Sequence, residues 1–227
     1  LSPTPISVND VVPNLTANPL TACPGTTITF TDGSTSNSPL VSWNWTFGDG
    51  HGSTLQNPVH SYANPGVYTV RLTVTDGSGC SDLRQRFNYI TITRPTPSFT
   101  QSQTNLCPGE NLTLTSTSVG AAPMTYSWNY GDGSPLGSGS PSNHAYAANG
   151  LYPIRLVVTD RNGCQDSIGG TVTIETPVAS FTVDDSLSDC PPLLCTFTNT
   201  STGNISSYTW DFGDGSPLVN NNPNPSH

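Results

Sequence analysis

Aromatic and polar positions alternate in three stretches of the chain: Trp43-Asn44-Trp45-Thr46-Phe47, Tyr126-Ser127-Trp128-Asn129-Tyr130 and Tyr208-Thr209-Trp210-Asp211-Phe212. A period of two puts the three rings of each stretch on one face of a β-strand. Gly-Asp-Gly follows each time, around Asp49, Asp132 and Asp214, and predicts a hairpin turn. The central tryptophans, Trp45, Trp128 and Trp210, recur at an almost constant interval. That interval is the size of a small independent domain, not of a solenoid unit.

A second pattern is locked to the first. His60, His144 and His227 fall at matching distances after the turns, and Tyr62 and Tyr146 follow the first two. Next come Pro65-Gly66-Val67-Tyr68-Thr69-Val70-Arg71-Leu72-Thr73-Val74-Thr75-Asp76 and its copy from Asn149 to Asp160. Tyr68, Val70, Leu72 and Val74 face one way, as do Tyr152, Ile154, Leu156 and Val158. Trp45, Trp128, Trp210, Tyr68 and Tyr152 are therefore the expected core of the repeat. Pro, Gly or Asn bounds every predicted strand. Pro153 stands where the first copy has Thr69, which predicts a strand start or a position whose N–H points out of the sheet.

These patterns divide the chain into residues 1–11, read as the last strand of a preceding repeat through Ile6 and Val8, and repeats over 12–94, 95–176 and 177–227. The third reaches His227 before its second pattern, so it is read as truncated and the chain as a segment of a longer array. The joints, Thr93-Arg94-Pro95-Thr96-Pro97 and Glu175-Thr176-Pro177, are short and carry proline, which predicts stiff connections.

Taken together, the aromatic-x-Trp-x-aromatic-Gly-Asp-Gly strand, the His-x-Tyr step and the Gly-x-Tyr-x-Val-x-Leu-x-Val-x-Asp strand resemble the PKD domain over nearly the whole chain. The resemblance implies an all-β fold of tandem immunoglobulin-like sandwiches joined end to end, in a secreted or cell-surface setting. It does not imply one activity, since such domains serve as spacers, adhesive modules and accessory domains of secreted hydrolases. The Gly-Cys after the Val-Thr-Asp strand is similar to repeats of very large surface adhesins in Bacteroidota, including proteins of gliding motility and type IX secretion.

Composition narrows the partners. The chain has 227 residues, 9% charged residues and a net charge of −9, with no lysine. Such a surface argues against nucleic acid or an anionic membrane. No apolar run is long enough to span a bilayer. Repeats this short bury only thin cores, so covalent staples are valuable. Without lysine, an internal Lys–Asn crosslink is excluded and stiffening falls to cysteine. Cys23 stands as far before Cys80 as Cys107 does before Cys164, and the identical spacing predicts disulfides Cys23–Cys80 and Cys107–Cys164. A loop of that size stabilises by about 4 kcal/mol in the chain-entropy model. Cys190 matches Cys23 and Cys107, and its expected partner lies beyond His227, with a short Cys190–Cys195 bridge as the alternative. Cys195 otherwise takes the core position of Ile28 and Leu112 as a buried thiol.

Candidate chemistry meets a structural reading at each position. Asp49, Asp132 and Asp214, with Asp76 and Asp160, offer carboxylates to Ca²⁺, but an aspartate between two glycines is expected to accept backbone N–H bonds in the turn. No cofactor is expected. His60, His144 and His227 are expected to bond across the hairpin near the Trp strand, and no hydrolase or phosphate-loop motif occurs, so the segment is expected not to be an enzyme. Trp43, Tyr126 and Tyr208 share one strand position; they are either a stacking platform for surface glycans or packed rings on the core face. The favoured expectation is a stalk or fibre segment of a large adhesin, holding a distal functional end away from the cell. The alternatives are an accessory module that docks polysaccharide or protein for a secreted hydrolase, and a self-assembling filament subunit whose partners are identical chains.

Overall fold

The computed structural model describes residues 11–184 and 194–227, all of them strands, turns and loops with no helix. Ile6, Val8 and Cys190 lie outside the described residues. In the first repeat the strands are β1 Leu15–Asn18, β2 Thr21–Ala22, β3 Ile28–Asp32, β4 Leu40–Thr46, β5 Gly52–Ser53, β6 Val59–His60, β7 Gly66–Asp76 and β8 Ser81–Ile92. They form two sheets, β1-β3-β6 and β2-β8-β7-β4-β5, antiparallel except where β2 runs parallel to the end of β8. Leu15, Ile28 and Phe30 on the first sheet and Trp45, Val70, Leu72, Val74 and Ile90 on the second bury their side chains in one core. This is an immunoglobulin-like sandwich, and the alternation of the sequence is its inward face.

The second repeat uses the same order, with β9 Phe99–Gln101, β10 Asn105–Leu106, β11 Asn111–Ser116, β12 Thr125–Asn129, β13 Gly137–Ser138, β14 Ser142–Ala145, β15 Gly150–Thr159 and β16 Gln165–Ile174. Its sheets are β14-β11-β9 and β10-β16-β15-β12-β13, and Trp128 is fully buried. The third repeat holds β17 Phe181–Val183, β18 Phe197–Asn199, β19 Thr209–Trp210 and β20 Val219–Asn220, with Phe181, Phe197 and Trp210 in mutual ring contact and Phe212 against Phe197. One antiparallel bridge opens each repeat: Val12 with Thr35, Thr96 with Val119, Val178 with Thr202.

Gly48 and Thr69 explain Pro153. The β7–β8 register shifts between Tyr68 and Val70, so Thr69 has no ladder partner. Proline at the equivalent position of β15 thus stands where the first repeat leaves its ladder unpaired. The bulge rests on the first glycine of the turn: a Cβ on Gly48, which has φ +89°, would lie 2.5 Å from the Thr69 carbonyl oxygen. Gly131 stands likewise against the Pro153 carbonyl. Only glycine tolerates both the conformation and the approach.

The predicted disulfides are corrected. Cys23 bonds Cys164, with Cα atoms 5.3 Å apart, while Cys80 and Cys107 are exposed thiols. Hairpin length is the reason. Cys23 follows β2, whose Ala22 pairs with Ile92 at the open end, or foot, of the β7–β8 hairpin. Cys80 sits in the turn at its other end, the tip, where Thr75 pairs with Ser81. Strands of this length put roughly 35 Å between foot and tip, far beyond the reach of about 7 Å between Cα atoms that a disulfide allows. Cys107 is likewise at the foot and Cys164 at the tip of the β15–β16 hairpin. The identical spacing measures the separation of the two ends, not a bond.

The first compact unit joins the first repeat to residues 117–127 and 157–168, and it contains this disulfide. Beside it Asn162 Nδ2 donates to Thr93 Oγ1 at 3.0 Å, Thr93 Oγ1 lies 3.4 Å from Cys164 Sγ, and Arg94 Nε donates to Asp166 Oδ2 at 2.9 Å. The second compact unit comprises residues 99–116, 128–156 and 169–227.

Trp45→Ala is expected to cost about 3–5 kcal/mol in urea unfolding, because the ring is fully buried. Leu55→Ala, at a side chain 66% exposed, is expected to change stability by about 0.5 kcal/mol or less.

Candidate functional site

The most regular constellation is the Gly-Asp-Gly turn and the histidine across from it. Asp49 Oδ1 accepts the His51 N–H at 3.1 Å, and Asp49 Oδ2 lies 2.7 Å from His60 Nε2. In the second repeat Asp132 Oδ1 accepts the Ser134 N–H at 3.0 Å and its hydroxyl, and Oδ2 meets His144 Nε2 at 2.7 Å. In the third Asp214 Oδ1 accepts the Ser216 N–H at 2.9 Å and Oδ2 meets His227 Nε2 at 2.8 Å. One carboxylate oxygen thus closes the turn and the other anchors the imidazole.

Each imidazole is also stacked. His60 lies 4.3 Å from Phe47 at 7°, His144 3.9 Å from Tyr130 at 5°, and His227 4.0 Å from Phe212 at 1°. Tyr62 and Tyr146 meet the first two edge-on and donate their hydroxyls to the carbonyl oxygens of Phe47 and Tyr130. Tyr68 and Tyr152 stack on those tyrosines, with ring centres 4.1 and 4.4 Å apart. Asp, His and three aromatic rings form one column that ties the turn after β4 to β6 and β7.

The electrostatics follow from these bonds. Burial pushes the Asp49 carboxyl up, but the His60 hydrogen bond, the His51 N–H and the charges of both histidines outweigh it and hold it below the usual range. Asp132 goes down to about 2, because the Ser134 hydroxyl and N–H and then His144 overcome its burial. Burial, then the nearby Asp49 and Asp132 charges, pushes the Tyr62 and Tyr146 phenols up. Asp76, also weighed as a cation ligand, organises the hairpin tip. Its Oδ1 accepts Ser78 N and Cys80 N, each at 3.0 Å, and Ser78 Oγ at 2.7 Å, while Oδ2 accepts Ser36 Oγ at 2.9 Å. Asp160 does the same for Asn162 N and Cys164 N. In the first repeat His51 joins Asp49 and His60, with donor atoms within 4.8 Å of one another. That set mixes two nitrogens with one carboxylate, unlike the all-oxygen shell of Ca²⁺.

The profile of the PKD domain matches residues 10–92, 93–176 and 174–227. The chain belongs to the PKD domain family. Human polycystin-1 is 27% identical over 231 residues, spanning 88% of this chain and 5% of polycystin-1. Pre-pro-metalloprotease PrtV of Vibrio cholerae is 29% identical over 135 residues, 60% of this chain and 15% of PrtV. Collagenase ColA of Bacillus cereus is 51% identical over 43 residues, 19% of this chain and 4% of ColA. Among solved structures, the PKD1 domain of Vibrio anguillarum Epp has 31% identity, covers 37% of this chain and 99% of that domain, and gives a TM-score of 0.33. The chain therefore spans a small part of the curated relatives it matches.

Within the PKD repeats the outer aromatics share the face of the core tryptophan but are only half-buried. Trp43 packs against the first core and donates its indole N–H to Asp32 Oδ2 at 2.7 Å, an oxygen that also accepts Gln56 Nε2 at 3.1 Å. Asp32 escaped the sequence reading because the second repeat has Ser116 in its place, so the repeat comparison gave it no weight. Tyr126 and Tyr208 are half-buried too. Cys195 pairs its backbone with His227 as Ile28 pairs with His60, but it is half-buried rather than buried.

The folded Asp49, Asp132 and Asp214 carboxyls titrate below those of an unfolded chain, at about 3.9. Between the two values the unfolded state binds more protons. Their contribution is therefore present above about pH 4 and is lost as pH falls through the folded values, for Asp132 near 2. Urea midpoints are expected to drop steeply over that window, and Asp132→Asn is expected to lower the midpoint at neutral pH and make the acid slope shallower.

Proposed function

We propose that this chain is a non-catalytic spacer segment of a secreted or cell-surface protein. The observation that carries the reading is the Cys23–Cys164 bond with its flanking Arg94–Asp166 and Thr93–Asn162 contacts. These tie the end of one PKD repeat to the hairpin tip of the next, so that neighbouring repeats are clamped, not merely strung. A disulfide persists in oxidising surroundings outside the cytosol. The polar column of Asp, His and aromatic rings turns the repeated ionisable groups inward, onto each other. The lysine-free surface with net charge −9 keeps neighbouring molecules apart. In this reading the distal end is supplied by other domains of a large adhesin, and the array resists extension between it and the cell.

Small-angle scattering tests it. A compact globule of this length has a radius of gyration of about 17 Å; a clamped array is expected well above that, and a value near it would sink the spacer reading.

One feature supports a second reading, an accessory docking module. The half-buried Trp43, Tyr126 and Tyr208 recur two residues before the repeat's tryptophan, and segments of a metalloprotease and a collagenase are among the relatives. Co-sedimentation with insoluble collagen or polysaccharide that is lost in Trp43→Ala, with the circular dichroism spectrum unchanged, would favour it. The spacer reading expects no sedimentation with either variant.

A further inference from the structure

Cys80 and Cys107 are exposed thiols at the two repeat positions whose counterparts, Cys164 and Cys23, are bonded to each other. The first two repeats each carry one cysteine at the foot of the long hairpin and one at its tip. The observed bond runs from the foot of the first repeat to the tip of the second. We propose that the disulfides form a ladder in which each foot cysteine takes the tip cysteine of the following repeat. In any array that continues with such repeats, the rule pairs Cys107 with the tip cysteine of the following hairpin and Cys80 with a foot cysteine of the preceding one.

The surroundings of Cys107 support this independently. It lines a cleft of about 560 Å³ with Pro177 to Phe181 and with Ile205 to Asp211 of the third repeat. Tyr208 and Trp210 on that wall are the counterparts of Trp43 and Trp45, which pair with Val74 and Leu72 of β7. The cleft is therefore walled by the strand against which a β7-like strand of the third repeat would lie, and its tip would come to Cys107. At the first joint the same elements, residues 117–127 and 157–168, lie in one compact unit with Cys23. The proposal holds whether the array is a spacer or a docking module.

Forming each rung removes two electrons and two protons from two thiols. A disulfide-bonded oxidant of the thiol–disulfide oxidoreductase class takes both. One cysteine thiolate attacks the oxidant's disulfide and expels one of its sulfurs; the second cysteine thiolate then attacks the resulting mixed disulfide and expels the other, so that the oxidant leaves as a dithiol.

The test extends the 227-residue chain after His227 with a copy of residues 145–176, which supplies a hairpin with its tip cysteine. The extended chain is oxidised with a glutathione redox couple and its unreduced peptides are mapped by mass spectrometry. The expected product links Cys107 to the appended tip cysteine. A link from Cys190 to that cysteine, or an alkylatable Cys107 in the folded extended chain, would overturn the ladder. Should the extension not fold, the unextended chain decides: Cys80 and Cys107 are expected to react with iodoacetamide without reductant while Cys23 and Cys164 are recovered linked. Recovery of Cys23–Cys80 or Cys107–Cys164 there would overturn it equally.

Discussion

The length of the β7–β8 hairpin sets most of what this chain does. Twelve residues in β8 and eleven in β7 carry the inward Val70, Leu72, Val74 and Ile90 that fill a thin sandwich. The same length separates the two cysteines of a repeat by several times the span of a disulfide. A staple within the repeat is thus ruled out by the strands that build its core. Cysteines placed at the two ends of so long a hairpin serve neighbours instead, and covalent stability is moved from the domain to the joint.

With no disulfide inside either of the first two repeats, these sandwiches need another way to hold their turns. The Asp–His–aromatic column does this with polar and stacking contacts. Asp49 closes its turn with one oxygen and holds His60 with the other, while Phe47 and Tyr62 cover the imidazole on a face and an edge. The first glycine of the turn admits the bulge at Thr69, and the bulge in turn frees that position for Pro153 in the next repeat. The sequence shows no acid paired with the histidines; the fold brings Asp49 to His60 and Asp132 to His144, and backbone and ring contacts occupy both partners.

What the sequence determined by itself was local and periodic. Alternation at Trp43-Asn44-Trp45 and Tyr68 to Val74 specifies strand faces, because a period of two is a property of the extended backbone alone. The repeat of the Gly-Asp-Gly turn and the histidine was equally legible, since both partners move together from copy to copy. Trp45 and Trp128 were placed in the core on that basis and are fully buried there. Half-buried Trp43 was left between packing and exposure, and its indole bond to Asp32 depends on a residue that does not recur.

Cysteine pairing was decided only by the tertiary structure. In a repeating chain, a bond within each repeat and a bond from each repeat to the next produce the same spacing of cysteines. Periodicity carries no information about which of the two occurs. The distance that distinguishes them is the straight run of a hairpin, and it exists only once β7 and β8 are paired and β2 has been laid parallel to the foot of β8. The contacts of Thr93 with Asn162 and Arg94 with Asp166 follow from that arrangement. They bring together side chains far apart in the chain, for which no local pattern exists.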